Sequence, residues 1–162
     1  MATTFTAGQK IRASDLNNIA MRGRVASLAS SGPGSAMSFN TTESVGTSQA
    51  AACTSGRRYR ARFVGVANAS SAGANGFFKI RYKAGVTIDI TGTVMPGAQG
   101  APNLSRGLGG DNNSVVIEGE FTAPTTDTYT FVLTGKSSGG TVNVASDAAN
   151  HGWLFTLDDV TN

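Results

Sequence analysis

The feature that most constrains this chain is a strict two-residue alternation that begins after residue 36 and recurs to the end. In "RRYRARFVGVA", Arg58, Arg60 and Arg62 fall on one side and Tyr59, Ala61 and Phe63 on the other. "FFKIRYKAG" repeats the pattern, with Phe78, Ile80 and Tyr82 against Lys79, Arg81 and Lys83. An extended strand sends successive side chains to opposite faces, so each segment offers one face to a core and one to water. "VTIDITGTV" puts Val86, Ile88 and Ile90 on one face. "SVVIEGEFTAP" turns Val115, Ile117 and Phe121 inward and Glu118 and Glu120 outward, and "DTYTFVLTG" gives Tyr129, Phe131 and Leu133. "MSFNTTESV", "QAAACTS", "TVNVAS" and "WLFTLDDV" are further strands, and "SSAGANG" and "KSSGG" are turns. Residues 95–113 show no period and read as a long loop. Eight or nine short strands so punctuated predict an all-β fold, an antiparallel β-sandwich. A jelly roll is the best match, with immunoglobulin-type packing as the alternative.

The front of the chain reads differently. Residues 1–13 resemble an extended arm. Ser14 stands where an N-cap belongs, and Asp15 favours the positive end of a helix. Leu16, Ile19, Ala20, Gly23 and Ala26 share one face at helical spacing, and Met21, Val25 and Leu28 share another. A helical Gly23 costs about 1 kcal/mol relative to alanine, so one short α-helix is expected to be firm from Ser14 to Arg22 and weaker beyond. "SSGPGS" then ends it. The expected organisation is an arm, helix and linker over 1–35 and a sandwich over 36–162. A lone helix of this length is marginal in water and needs a surface. It therefore reads as an anchor, with Phe5, Ile11, Leu16, Ile19 and Val25 as its apolar grip.

Charged residues make up only 14% of the chain, which suits strands and turns rather than helical bundles. No apolar run approaches the ~20 residues of a membrane helix, and the first ten residues lack the apolar core of a secretory signal. The single cysteine, Cys53, cannot form an intrachain disulfide and fits synthesis in a reducing cytoplasm. Residues 1–83 carry a net +9 and residues 84–162 a net −6. If their two strands are neighbours, Arg58, Arg60, Arg62, Lys79, Arg81 and Lys83 share a basic outward face. Such a face binds phosphates, or else it pairs internally with Asp89, Glu118 and Glu120. No aromatic residue interleaves on the basic side, so pairing is favoured and a nucleic-acid partner is not expected.

No motif points to catalysis. Cys53 has no histidine near it in sequence, and His151, the only histidine, makes no metal site by itself. Trp153 reads as a core or interface residue. "GGDNNS", with Asp111, lacks the spacing of a calcium loop, and no glycine-rich stretch has the phosphate-loop ending. Asp158 and Asp159 point to opposite faces of a strand. The expectation is a non-enzymatic protein without cofactor or metal.

The order of these pieces resembles small virion proteins of tailed bacteriophages. The resemblance lies in the opening "TTFTAGQKIRASDLNNIA", then "GRRYRARFVGVANASSAG", "KIRYKAG", "EGEFTAPTTDTYTFVLTG" and a closing "WLFTLDDV". "FTAPTTDTYTF" is similar to the tumour-necrosis-factor-like jelly rolls of trimeric phage decorations and fibre heads. The resemblance implies a homotrimeric virion component that contacts a major capsid protein or a tail or baseplate protein. Capsid decoration is favoured over a minor tail or short tail fibre protein, because residues 95–113 lack the Tyr and Trp clusters of a receptor-binding tip. A carbohydrate-binding module that takes a host glycan is the alternative of another class.

Overall fold

The computed structural model describes residues 23–29, 36–70, 74–100, 113–144 and 152–161. They form ten strands: β1 (Gly23–Ala29), β2 (Met37–Phe39), β3 (Ser44–Cys53), β4 (Arg58–Ala69), β5 (Gly76–Ala84), β6 (Thr93–Gly100), β7 (Asn113–Thr122), β8 (Asp127–Ser137), β9 (Val142–Val144) and β10 (Leu154–Asp159). All pairings are antiparallel. There is no helix among the described residues.

β10 and β9 lie in line along one side of β4, opposite residues 59–64 and 67–69. β1 and β2 lie in line along their far side, and β7 pairs with the other side of β4. The first sheet therefore has four positions: β1/β2, β10/β9, β4 and β7. The second runs β3-β8-β5-β6. Counted along the chain, eight strand positions pair as 1-8-3-6 and 2-7-4-5. Apart from β5 and β6, neighbours within a sheet thus come from different parts of the chain.

The inner faces make one core. Tyr59, Ala61 and Phe63 of β4 and Val115, Ile117 and Phe121 of β7 meet Phe78 and Ile80 of β5 and Tyr129, Phe131 and Leu133 of β8. Phe121 bridges the sheets, with ring centroids 4.5 Å from Tyr82, 5.3 Å from Tyr129 and 5.5 Å from Phe131. Each such buried side chain contributes roughly 1.5–3 kcal/mol. Phe39 stands edge-on to Phe78 and lies against Gly46 and Gly135, where an added Cβ would come within 2.6 and 2.9 Å of its ring. At the other side β6 crosses close to β7, and a Cβ on Gly119 would meet the Pro96 carbonyl oxygen at 2.5 Å.

Three expectations are corrected. Residues 23–29 are not the fading half of a helix but strand β1, which pairs with β10 from Gly23↔Asp159 to Ala29↔Leu154. Past Gly23 a helix has too few turns to hold itself, whereas β10 offers a row of backbone partners. The sandwich therefore begins at residue 23, not 36. Val25, expected in the anchor, packs against the sandwich core. Val86, Ile88 and Ile90 do not line a buried strand face: residues 85–92 are a loop, and these side chains are 74%, 57% and 41% exposed. Finally, residues 95–100 of the expected long loop belong to β6.

The boundary is testable by truncation. A chain beginning at Gly23 should unfold as cooperatively as the full chain. A chain beginning at Ser35 loses β1 and uncovers one side of β10, and its melting temperature should fall by well over 10 °C. Thermal unfolding followed by circular dichroism checks both.

Candidate functional site

β4 and β5 lie in different sheets, so the six bases do not form one face. Arg58, Arg60 and Arg62 stand on the outer face of the first sheet, and Lys79, Arg81 and Lys83 on that of the second. On the first, the register sets Arg24, Asp158, Arg60 and Glu120 side by side across all four strand positions. Arg24 Nε lies 2.6 Å from Asp158 Oδ1, and Arg60 Nη2 lies 2.6 Å from Glu120 Oε1. Arg58 reaches Glu120 at 3.3 Å and Arg62 reaches Glu118 at 3.5 Å. Exposed pairs of this kind contribute ~0.2–1 kcal/mol each. Their larger effect is to cancel the local field that would attract a polyanion.

The second outer face is organised by Glu43, which the sequence reading passed over. Its carboxylate accepts hydrogen bonds from Thr134 Oγ1 at 2.7 Å and Arg81 Nε at 3.0 Å, and Lys79 Nζ lies 3.5 Å away. Burial alone would raise its pKa. The hydrogen bonds from Thr134 and Arg81, with the charges of Arg81 and Lys79, outweigh burial and hold it below the usual value of 4.5. Thr130, Val132 and Thr134 point outward from β8 yet are buried, because they sit opposite Lys83, Arg81 and Lys79 of β5. Lys83 Nζ donates to Asp89 Oδ2 at 2.8 Å, and Thr91 donates to Asp89 through both its N–H and its hydroxyl. These bonds bring the Asp89 pKa from 3.8 to about 2. The partners expected from sequence, Asp89, Glu118 and Glu120, take part, but Lys79 and Arg81 pair with Glu43 and Arg24 with Asp158. Of the nine lysines and arginines among the described residues, eight lie within 4.0 Å of a carboxylate. The ninth, Lys136, sits over the Phe77 ring at 5.6 Å.

The same contacts fix the loop 85–92. Gly85 is held at both backbone groups, its N–H donating to the Thr128 carbonyl and its carbonyl accepting from Thr130 Oγ1. The Gly92 carbonyl accepts from Arg81 Nη1. A loop so tied presents Val86, Ile88 and Ile90 to solvent in a set conformation. It lies at the end of the sandwich where β3 leads into β4, β7 into β8, and the chain enters β1 at Gly23. On the second sheet an open cleft of about 200 Å³ is lined by Phe77, Phe78, Lys79, Gln99 and Gly100.

Cys53 is buried, and its thiol is pushed up to about 12 by that burial and by the charge of Asp159. Asp159 is itself buried; Arg57 Nε lies 2.5 Å from it as an ion pair, and the Thr161 N–H donates to it. Asp158 and Asp159 face opposite ways, as their spacing requires, so they form no acid/base pair. Trp153 is buried beside Phe63. Phe5, Ile11, Leu16 and Ile19, the helix Ser14 to Arg22, Asp111 and His151 lie outside the described residues. Among the described residues no group of three or more His, Cys, Asp or Glu could hold a metal ion, and no helix is long and apolar enough to cross a membrane.

No protein-family model matches this chain, and no curated protein sequence matches it. Among solved structures, it is similar to the VP2 protein of the infectious bursal disease virus subviral particle. Identity there is 15% and the TM-score 0.44, with 87% of this chain and 38% of that one covered. It is also similar to a protein of Bacteroides thetaiotaomicron described as sugar-binding, at 15% identity and TM-score 0.37, covering 69% of this chain and 65% of that one. A third is TmCBM61 in complex with β-1,4-galactotriose, at 13% identity and TM-score 0.31, covering 69% and 60%. This chain thus spans less than two-fifths of VP2. These are likenesses of strand layout and do not extend to function.

Two measurements follow from the site's electrostatics. With its pKa raised from 9.0 to about 12, folded Cys53 holds about 1,000-fold less thiolate near neutral pH than a free thiol. A thiol reagent at pH 8 should label it only after denaturant is added. Glu43 and Asp89 have folded pKa values below their unfolded ones, so their stabilisation is fully present above about pH 4.5 and is lost as pH falls through the folded values. Glu43→Gln should cost about 1–3 kcal/mol at pH 7. Denaturant melts of this variant should show a smaller loss of stability between pH 4.5 and pH 2 than the parent.

Proposed function

We propose that this chain is a non-enzymatic structural protein of a virion, a jelly-roll subunit that forms homotrimers and decorates the capsid of a tailed bacteriophage. The observation that carries this reading is the make-up of one end of the sandwich. The preceding residues 1–22 join there at Gly23, and the fixed loop with Val86, Ile88 and Ile90 stands at the same end. Large apolar side chains held in water in a set loop are what a docking contact requires. The strand order 1-8-3-6 and 2-7-4-5 supports the jelly-roll assignment. Ion pairing of eight bases supports a protein partner over a nucleic acid. In this reading the anchor is residues 1–22, with Phe5, Ile11, Leu16 and Ile19 as its apolar grip and a major capsid protein as its partner. A tail or baseplate position is the alternative.

A carbohydrate-binding module is the second reading, and the observation in its favour is the open cleft beside the half-buried Phe77 ring. A sugar could stack there within reach of Lys79 and Gln99, and a glycan array tests it.

The decoration reading is tested by binding to undecorated particles, with light scattering for the mass. The intact chain should run as a trimer and label heads. A chain beginning at Gly23 should stay folded and fail to bind, and Val86→Ser/Ile88→Ser/Ile90→Ser should weaken binding at least tenfold. Equal binding by the chain beginning at Gly23 would overturn the anchor, and label on tails alone would move the protein off the capsid.

A further inference from the structure

The outer face of the first sheet carries three successive transverse rows set by register. The first is Arg24, Asp158, Arg60 and Glu120; the second is Ser27, Thr156, Arg62 and Glu118; the third is Leu154, Val64 and Val116. In the third, Val116 is 53% and Leu154 39% exposed, and Val64 lies between them. Three branched apolar side chains, Val64 half-buried between the two exposed ones, thus form a band across the sheet, one row removed from a row whose charges read plus, minus, plus, minus.

That sign order has a geometric consequence. Turn a second copy half a revolution about an axis that runs along the strands, between two facing sheets. Each row then meets its own reverse. The order plus, minus, plus, minus reversed is minus, plus, minus, plus. Arg24 therefore faces Glu120 of the second copy and Asp158 faces Arg60, while the apolar band meets itself. A row of four with this alternation is complementary to itself under a twofold axis, which is what an isologous contact needs. We propose that this face is a twofold contact between two copies of the chain, with the Leu154–Val64–Val116 band at its centre and the charged row setting its alignment.

The size of the face fixes the strength. Four strands ~4.8 Å apart and a stretch of about six residues give a patch of roughly 20 Å by 20 Å. That is about half of the ~800 Å² per partner in a standard stable interface. The contact is weak in dilute solution and fills when copies are held close together. The proposal does not depend on the virion reading, since the face is distinct from the end that carries Gly23 and residues 86–90.

Sedimentation equilibrium over a wide concentration range tests it on the full chain. The mass should rise with concentration toward twice that of the species seen at high dilution. Val116→Asp and Leu154→Ser, both at exposed side chains, should abolish the rise without changing the melting temperature by more than a few degrees. Arg60→Glu faces like charge across the axis and should weaken association at least several-fold. The fully inverted row, Arg24→Glu/Asp158→Arg/Arg60→Glu/Glu120→Arg, is again self-complementary. It should associate with itself as the parent does and fail to mix with the parent in a fluorescence-transfer assay. A mass independent of concentration, an unchanged rise in Val116→Asp and Leu154→Ser, or free mixing of parent and inverted row would each overturn the proposal. Particle binding by the same variants should be unaffected, which separates this contact from the docking end.

Discussion

Phe121 is the residue through which the two sheets hold each other. It comes from the first sheet, and its ring meets Tyr82, Tyr129 and Phe131 of the second while also lying 5.9 Å from Tyr59 on its own. Edge-to-face and tilted ring pairs of this kind add ~0.5–1.5 kcal/mol beyond the area they bury. The cluster also fixes register. With Phe121 inward opposite Tyr59, Glu120 must lie outward opposite Arg60 and Glu118 outward opposite Arg62. A slip of one residue would bury three arginines and expose three core side chains. The aromatic core and the charged lattice are therefore two faces of one constraint.

How far the sequence can be read depends on where this constraint acts. β4, β5, β7 and β8 pack one face on the core and carry polar residues on most of the other, so their alternation is plain in the sequence, although in β8 the outward Thr130, Val132 and Thr134 are buried as well, beneath the β5 side chains. Pairing of Arg58, Arg60 and Arg62 with Glu118 and Glu120 was legible for the same reason. What failed is what alternation cannot report. β1 lies at an edge and has a bulge between Arg24 and Ala26, so Val25, Ala26 and Leu28 fit a helical period as well as a broken strand period. Residues 86–90 alternate perfectly but have no partner strand, since β5 and β6 pair only from 82 and 93 backward along the chain and forward. The pattern says which side chains share a face, not whether that face is covered.

Sheet membership was hidden in the same way. Consecutive β4 and β5 look like neighbours, and six bases on neighbouring strands would make one basic face. The chain crosses between sheets there, so the bases are divided into two groups of three, and each group finds its own acids: the distant Glu118 and Glu120 on one side, and the distant Glu43 with the nearby Asp89 on the other. Glu43 shows what composition alone conceals. It is the one acid between Asp15 and Asp89, and it neutralises a face from a loop that leads into an edge strand.

The surface that remains is selective. Its charges are mostly satisfied within the chain, so long-range attraction is small and a partner must match shape at short range. Of the seven large apolar side chains exposed among the described residues, five fall at two separate sites, the loop at one end and the band across one sheet, while Leu28 and Val45 belong to neither. Each site is too small to hold a partner firmly by itself. Small contacts become strong when several act on one assembly, because the first raises the effective concentration for the next. A chain with a cohesive core, neutralised flanks and two modest apolar contacts is thereby suited to repeat. Under the two proposed contacts it would stay dispersed when dilute and gain its strength in an ordered array.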